Sequence, residues 1–252
     1  MRTVRLLIEY DGTGYAGWQA QANGPSIQEE VEKAIRRVTG ERLRVAGSGR
    51  TDAGVHALGQ VASFRTGSAI PGERFAAALN AHLPPDIVVL RSADAPEDFH
   101  ARKGVRGKTY LYRILNRRIR PALLRGKVYH FAPRLDLRAM RAAAACLVGR
   151  HDFRAFTPTA AVKPGGYERE IFALDVDRHG DELHIEVTGS GFLYNMVRCI
   201  AGTLVEVGRG KRPPDDLRAI LESRDRRRCG PTAPPGGLYL VRVDYGEDAP
   251  SA

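Results

Sequence analysis

The sequence predicts an α+β protein built from two similar α/β halves. Three observations carry that prediction. Strand-like and helix-like periodicities mix along the whole chain, a ten-residue segment recurs at a constant offset, and 252 residues leave room for two ordinary domains. The recurring segment is LLIEYDGTGY from Leu6 and LHIEVTGSGF from Leu183, which align without gaps. In each copy a strand ends in a G-x-G turn ahead of a helix. The halves are expected at residues 1–105 and 106–252, meeting at a central cleft, a natural place for a substrate.

The elements follow in order. Val4, Leu6, Ile8 and Tyr10 alternate with outward positions as a half-buried strand does. Pro25 and Ser26 lead into IQEEVEKAIRRVTG, where Ile27, Val31, Ala34, Ile35 and Val38 repeat at helical spacing; Ser26 with Glu29 forms a capping box and Gly40 stops the helix. Strands are predicted at Leu43–Ala46 and Gln60–Thr66 on either side of the loop GSGRTDAG, with a helix near Glu73–Asn80. Asp86–Ser92 and Lys108–Asn116 read as strands, Leu137–Val148 as a helix capped by Asp136, and Glu168–Arg178 with Glu182–Thr188 as a hairpin. Phe192–Gly208 reads as the helix after the second copy of the repeat.

Composition narrows the function classes. A hydrophobic share of 43% and a charged share of 27% are those of a globular chain. No apolar run reaches the roughly 18 residues of a membrane span, and MRTVRLLIEYDG lacks the apolar stretch of a signal peptide, so a cytoplasmic location is expected. Cys146, Cys199 and Cys229 are too few and too widely spaced for a disulfide framework or a CxxC motif, and all three are expected to be buried thiols. The net charge of +10 points to a polyanionic partner. From Phe99 to Leu135 there is no Asp or Glu, while Arg102, Lys103, Arg106, Lys108, Arg113, Arg117 and further basic residues to Arg134 fall inside, interleaved with aromatics. That pattern suits contact with nucleic-acid phosphates better than a merely solvated face.

Two nucleotide motifs fail on inspection. GSGRTD opens like G-x-G-x-x-G, but Asp52 occupies the last glycine position, where a carboxylate repels a pyrophosphate. GRGKR at Gly208 lacks the first glycine and the closing Ser or Thr of a phosphate loop. His56, His151 and His184 have no companions at metal-ligand spacing, so neither cofactor nor metal is expected. What remains is Asp52, with Arg50 two positions before it and small residues around it. A carboxylate beside a guanidinium stays ionised, as a nucleophile or a base requires. The alternative is an aspartate that only organises its own turn.

GRTDAGVHALGQVASF is similar to the catalytic segment of the tRNA pseudouridine synthase A family. GKTYLYRI resembles that family's second motif, FLYNMVRCIAGTLVEVGRGK with TAPPGGLYLVRVDY its third region, and YDGTGYAGWQAQ its opening strand and turn. The resemblance covers nearly the whole chain. It implies a pair of ferredoxin-like halves joined around a central active-site cleft, the pseudouridine synthase fold, in a cofactor-independent isomerase. It implies Asp52 as catalytic residue, Arg50 as its companion, and Tyr110 as the aromatic residue against the target base, where it removes the C5 proton. Strand alternation puts Lys108, Tyr110, Tyr112 and Ile114 on one face, so at least one tyrosine is open to a purely structural reading. Arg198 is a candidate second basic residue at the aspartate or at a phosphate, Leu238 a candidate apolar wall, and Arg102 and Lys108 candidate RNA contacts. The implied substrate is tRNA, at uridines of the anticodon arm around positions 38 to 40, and the implied assembly is a homodimer. Asp52 adding to C6, attacking C1′ or removing the C2′ proton all stay open. Two rival readings are a non-catalytic tRNA-binding protein and a nucleotide-dependent RNA transferase; the failed phosphate motifs disfavour the second.

Overall fold

The computed structural model describes residues 1–22, 24–158 and 166–246. The chain divides into two units. One holds Met1–Arg106 and Tyr239–Ala252, the other Gly107–Leu238. The end of the chain therefore groups with the first unit, not with residues 106–252 as the linear reading of two consecutive halves had it.

In the first unit β1 (Arg2–Tyr10) leads to α1 (Ile27–Thr39), β2 (Ala46–Gly47), β3 (His56–Thr66), α2 (Phe75–Asn80) and β4 (Ile87–Ala95). β1 lies between β3 and β4, antiparallel to both, and β2 pairs with β3. That strand order, with two helices in the connections, is the split βαβ arrangement of ferredoxin-like folds. α1 begins and ends as its sequence requires. Ser26 Oγ accepts from Glu29 N at the N-cap, and Gly40 closes the helix in the left-handed region at φ 76°. Ile27, Val31, Ala34 and Ile35 form its buried face with Phe75 and Leu79 of α2 in the same core.

Two local expectations for this unit are corrected. The strand at Leu43–Ala46 is only Ala46–Gly47, because the backbone of Val45 is bonded by α1 side chains: Glu32 Oε1 accepts its N–H at 3.0 Å and Gln28 Nε2 donates to its carbonyl at 3.1 Å. β1 is also not half-buried along its length. Thr3 and Arg5 on its other face are covered, with the Arg5 guanidinium 5.5 Å from the Phe99 ring centre and 5.2 Å from that of Tyr245.

The second unit runs β5 (Gly107–Leu115), β6 (Tyr129–His130), α3 (Leu137–Ala145), β7 (Gly149–Asp152), β8 (Glu168–His179), β9 (Glu182–Gly189), α4 (Met196–Gly208) and α5 (Asp216–Ser223). Its sheet has the order β5-β9-β8-β7, with β6 beside β5, so the first strand of this unit neighbours its last. α3 is capped by Asp136, which accepts from Arg138 N and Ala139 N, but ends at Ala145, short of the expected Val148. α4 starts at Met196 and not at Phe192, after Asn195 in the left-handed region at φ 58°. α5 had no counterpart in the sequence reading. Both copies of the repeat do form a strand followed by a helix, β1 with α1 and β9 with α4. They are not equivalent strands, since β1 opens its unit and β9 comes late in the other.

β10 (Leu238–Asp244) then runs parallel to β3, with Tyr239 opposite His56 and Leu240 opposite Ala57. Cys199 and Cys229 are buried as expected, whereas Cys146 at the end of α3 is only half-buried. Among the described residues no helix is long and apolar enough to cross a membrane.

Candidate active site

Asp52 sits on the loop between β2 and β3, and the construction of that loop starts from glycine. The preceding turn, Gly12–Trp18, runs directly along it. Trp18 N donates to Thr51 O at 3.0 Å, Gly54 N to Tyr15 O at 3.3 Å, and within the loop Val55 N donates to Asp52 O at 3.1 Å. Backbone lies on backbone here, so side chains have no room between the segments. A Cβ on Gly17 would stand 2.5 Å from Thr51 O, and Gly17 has φ 108°, a conformation that L side chains rarely adopt. Gly12 is equally constrained by contact with the Val55 carbonyl, whereas a Cβ on Gly14 would meet nothing within 4 Å.

Polar side chains support the loop from within the sheet. Tyr10 OH and Thr51 Oγ1 lie 2.7 Å apart, Ser48 Oγ donates to Gln60 Oε1 at 2.6 Å, and Gln60 Nε2 donates to Gly49 O at 3.0 Å. Tyr10, Ser48, Thr51 and Gln60 are all buried, so these bonds replace water that cannot reach them. Burial pushes the Tyr10 hydroxyl far above the usual tyrosine range, more than its hydrogen bonds to Thr51 and Gln60 lower it. At the start of β3, His56 Nδ1 accepts from Gly12 N at 3.1 Å, and its ring stacks on Tyr239 with centres 4.7 Å apart. On this frame Asp52 is partly exposed and Arg50 is exposed. A carboxylate can thus meet a ligand from a backbone held on both sides, which is the preorganisation a reacting group needs.

Arg102 belongs to the same unit and is exposed, one residue after Ala101, whose carbonyl accepts from Tyr245 OH at 2.5 Å. Lys108, Tyr110, Arg198 and Leu238 belong to the second unit. Tyr110 on β5 is 8% exposed and meets Phe192 edge-on, with ring centres 5.2 Å apart. Tyr112, on the same face of the strand, is the structural tyrosine: it is fully buried, and its OH donates to Pro234 O at 2.7 Å. Arg198 on α4 donates from Nε to Ala233 O at 2.8 Å and from Nη1 to Asn195 Oδ1 at 2.7 Å, so part of its guanidinium fixes the segment ahead of Leu238. Leu238 is buried and Lys108 half-buried. Tyr10, Ser48, Gln60 and His56 were not anticipated as partners of the Asp52 loop; the only signal was their inclusion in the stretches YDGTGYAGW and GSGRTDAGVHALGQ.

The two α/β units and the pinned aspartate loop belong together as an enzyme class. The described profile of tRNA pseudouridine synthases matches residues 6–102 and 143–246. The chain is 49% identical over 249 residues to tRNA pseudouridine synthase A 2 of Clostridium perfringens, covering 97% of this chain and all of that protein. It is 49% identical over 245 residues to tRNA pseudouridine synthase A of Acetivibrio thermocellus, with the same coverage, and 48% identical over 250 residues to tRNA pseudouridine synthase A 2 of Clostridium tetani, covering 97% and 99%. The chain belongs to the tRNA pseudouridine synthase family.

Proposed function

We propose that the protein isomerises uridine to pseudouridine in the anticodon stem-loop of tRNA, around positions 38 to 40, with Asp52 as the reacting carboxylate and no cofactor. The observation that carries this reading is the Asp52 loop itself: its backbone is bonded to Trp18 on one side and Tyr15 on the other, and its carboxylate remains partly exposed. The names and full-length similarity of the relatives support the substrate class.

The isomerisation breaks the uridine N1–C1′ bond, turns the uracil within the site and joins C5 to C1′. Atoms balance without a redox agent or an energy source. Asp52 adds to C6, attacks C1′ or removes the C2′ proton, and each route needs it ionised, which the neighbouring Arg50 favours. Tyr110 lies against the base and takes the C5 proton, its ring offsetting part of the few kcal/mol needed to unstack a uridine. Leu238 walls the base, Arg198 serves the aspartate or a phosphate, and Arg102 and Lys108 hold the RNA backbone. The enzyme acts in the cytoplasm as a homodimer. The test is incubation of purified protein with unmodified tRNA transcript and magnesium alone, followed by mapping of pseudouridine. Product at positions 38 to 40 is expected; its absence overturns the reading.

A further inference from the structure

The second unit carries a broad cavity of about 1250 Å³ that none of the proposed active-site residues lines. It opens where the end of β5, the segment before α3, the outer end of β8 and the end of α4 converge. Seven arginines and one carboxylate line it. The carboxylate is Asp136, whose Oδ1 is engaged with the first backbone N–H groups of α3. Four of the arginines have acidic partners: Arg117 with Asp181 at 3.2 Å, Arg141 with Asp177 at 2.5 Å, Arg209 with Glu206 at 2.6 Å and Arg212 with Asp216 at 2.7 Å. Arg134, Arg138 and Arg178 have no carboxylate partner among the described residues, and all three are exposed. Arg178 makes only a 3.4 Å bond to Asn116 Oδ1.

The backbone beneath these cations is fixed. Asn116 Nδ2 donates to Phe131 O at 2.9 Å and Pro133 O at 2.7 Å, while Asn116 Oδ1 accepts from Leu135 N at 3.2 Å. Arg134 is therefore presented from a strapped loop, and Arg138 from the first turn of α3. Three uncompensated guanidinium groups on one cavity repel one another, and an arriving anion removes that cost. Each guanidinium offers five N–H donors in a planar fork that matches phosphate oxygens. Because the three come from different elements around an open cavity, they suit a chain of phosphates better than one small anion.

We infer that this groove binds a stretch of the phosphodiester backbone of tRNA. The inference rests on the tRNA reading above and adds a binding site to it. Only Arg117 and Arg134 of the groove fall in the acid-free segment Phe99–Leu135, so the linear charge pattern marked one edge of the groove and left its other arginines unannounced.

The test compares the wild type with a triple variant, Arg134→Gln, Arg138→Gln and Arg178→Gln. A control of equal charge loss carries Arg36→Gln, Arg42→Gln and Arg74→Gln, three exposed arginines outside the groove. tRNA affinity is measured over a range of salt concentrations, with thermal melts to verify folding. The groove variant is expected to bind about tenfold or more weakly near physiological salt, and its slope of log affinity against log salt should fall by about 2 to 3. The control should change the slope by less than about 1. Equal slopes for the folded groove variant and the wild type overturn the proposal. So does saturable binding of inorganic tripolyphosphate that the groove variant loses while keeping its tRNA affinity, which would mark a small-anion site. Conversion of a dimer to a monomer by the groove variant in sedimentation, with an unchanged salt slope, overturns it in favour of an interface between copies. The outcomes separate from those of the function: a wild type that binds tRNA without forming pseudouridine fails the activity alone, whereas intact activity with equal slopes fails the groove alone.

Discussion

Tyr10 and Thr51 join their hydroxyls at 2.7 Å beneath the loop that carries Asp52, linking the end of β1 to the residue next to the aspartate. Tyr10 is 3% exposed, and burial keeps its hydroxyl protonated well beyond ordinary assay conditions. It works as a neutral strut. Tyr10→Phe keeps the ring and strands the Thr51 hydroxyl, a loss on the order of 1–3 kcal/mol of stability. Single-turnover modification should slow with tRNA affinity nearly unchanged; unchanged rate and melting temperature would show that the bond supports nothing.

The glycines of the opening turn make a paired prediction. Gly17→Ala forces a Cβ toward Thr51 O at an unfavourable φ and should cost about 1–3 kcal/mol or more, with a loss of activity beyond what unfolding explains. Gly14→Ala, with open space around it, should stay within about 0.5 kcal/mol of wild type. Thermal melts and turnover of the two variants side by side decide it, and equal effects would contradict the backbone packing described here.

Asp52→Asn should abolish pseudouridine formation while leaving the fold and tRNA affinity nearly intact. The amide keeps the shape but is neither nucleophile nor base, so a loss on the order of 10³-fold or more is expected. A folded, tRNA-binding variant within about tenfold of the wild-type single-turnover rate, roughly 1.4 kcal/mol, would show that another group reacts.

Much of this was legible from the sequence, and the failures have a common cause. α1 could be read almost residue by residue because its determinants, Ser26, Glu29, the apolar spacing and Gly40, are local. β2 could not, since what holds Val45 is a pair of side chains, Gln28 and Glu32, more than ten residues earlier. Likewise Gln60 looks like any polar strand residue until the fold sets it against Ser48 and Gly49. The grouping of Tyr239 onward with the first unit depends on pairing between positions far apart, which no local pattern encodes. The motif singled out the Asp52 loop; the residues that support that loop required the fold.

Tyr110→Phe separates the two roles proposed for one ring. Stacking and the edge-on contact with Phe192 survive, but the hydroxyl is lost. Binding should be preserved and single-turnover modification reduced by about 10²-fold or more, the scale of general acid–base assistance. Wild-type turnover would leave the hydroxyl without a part in the chemistry.

Glu182 gives the second unit a pH-dependent contribution to stability. Burial alone would raise its carboxyl, but bonds from Arg113 at 2.9 and 2.8 Å and from His184 at 3.0 Å outweigh burial and hold it below the usual glutamate value. A depressed folded pKa adds stability above the unfolded value, about 4.3, and that contribution is lost as pH falls through the lower folded value. Glu182→Gln should therefore lower the melting temperature at pH 7, by the equivalent of about 1–2 kcal/mol, and flatten the acid decline. Parallel pH–melting curves for the two proteins would refute this.

The pairing of β10 with β3 also sets a schedule for biosynthesis. A nascent chain emerges from its first residue, and Asp52 leaves the ribosome long before Tyr239 exists to stack on His56. Until then the start of β3 pairs with β1 alone, Tyr10 lying opposite Ala57, and the stack that holds the His56 ring is missing through most of translation. Under the proposed function, competence waits for β10, so ribosome-tethered fragments that contain Asp52 but lack β10 should be unable to modify the RNA around them. Nascent chains released before and after β10, assayed for pseudouridine formation, would reveal that threshold, and activity in the shorter ones would show that no such threshold exists.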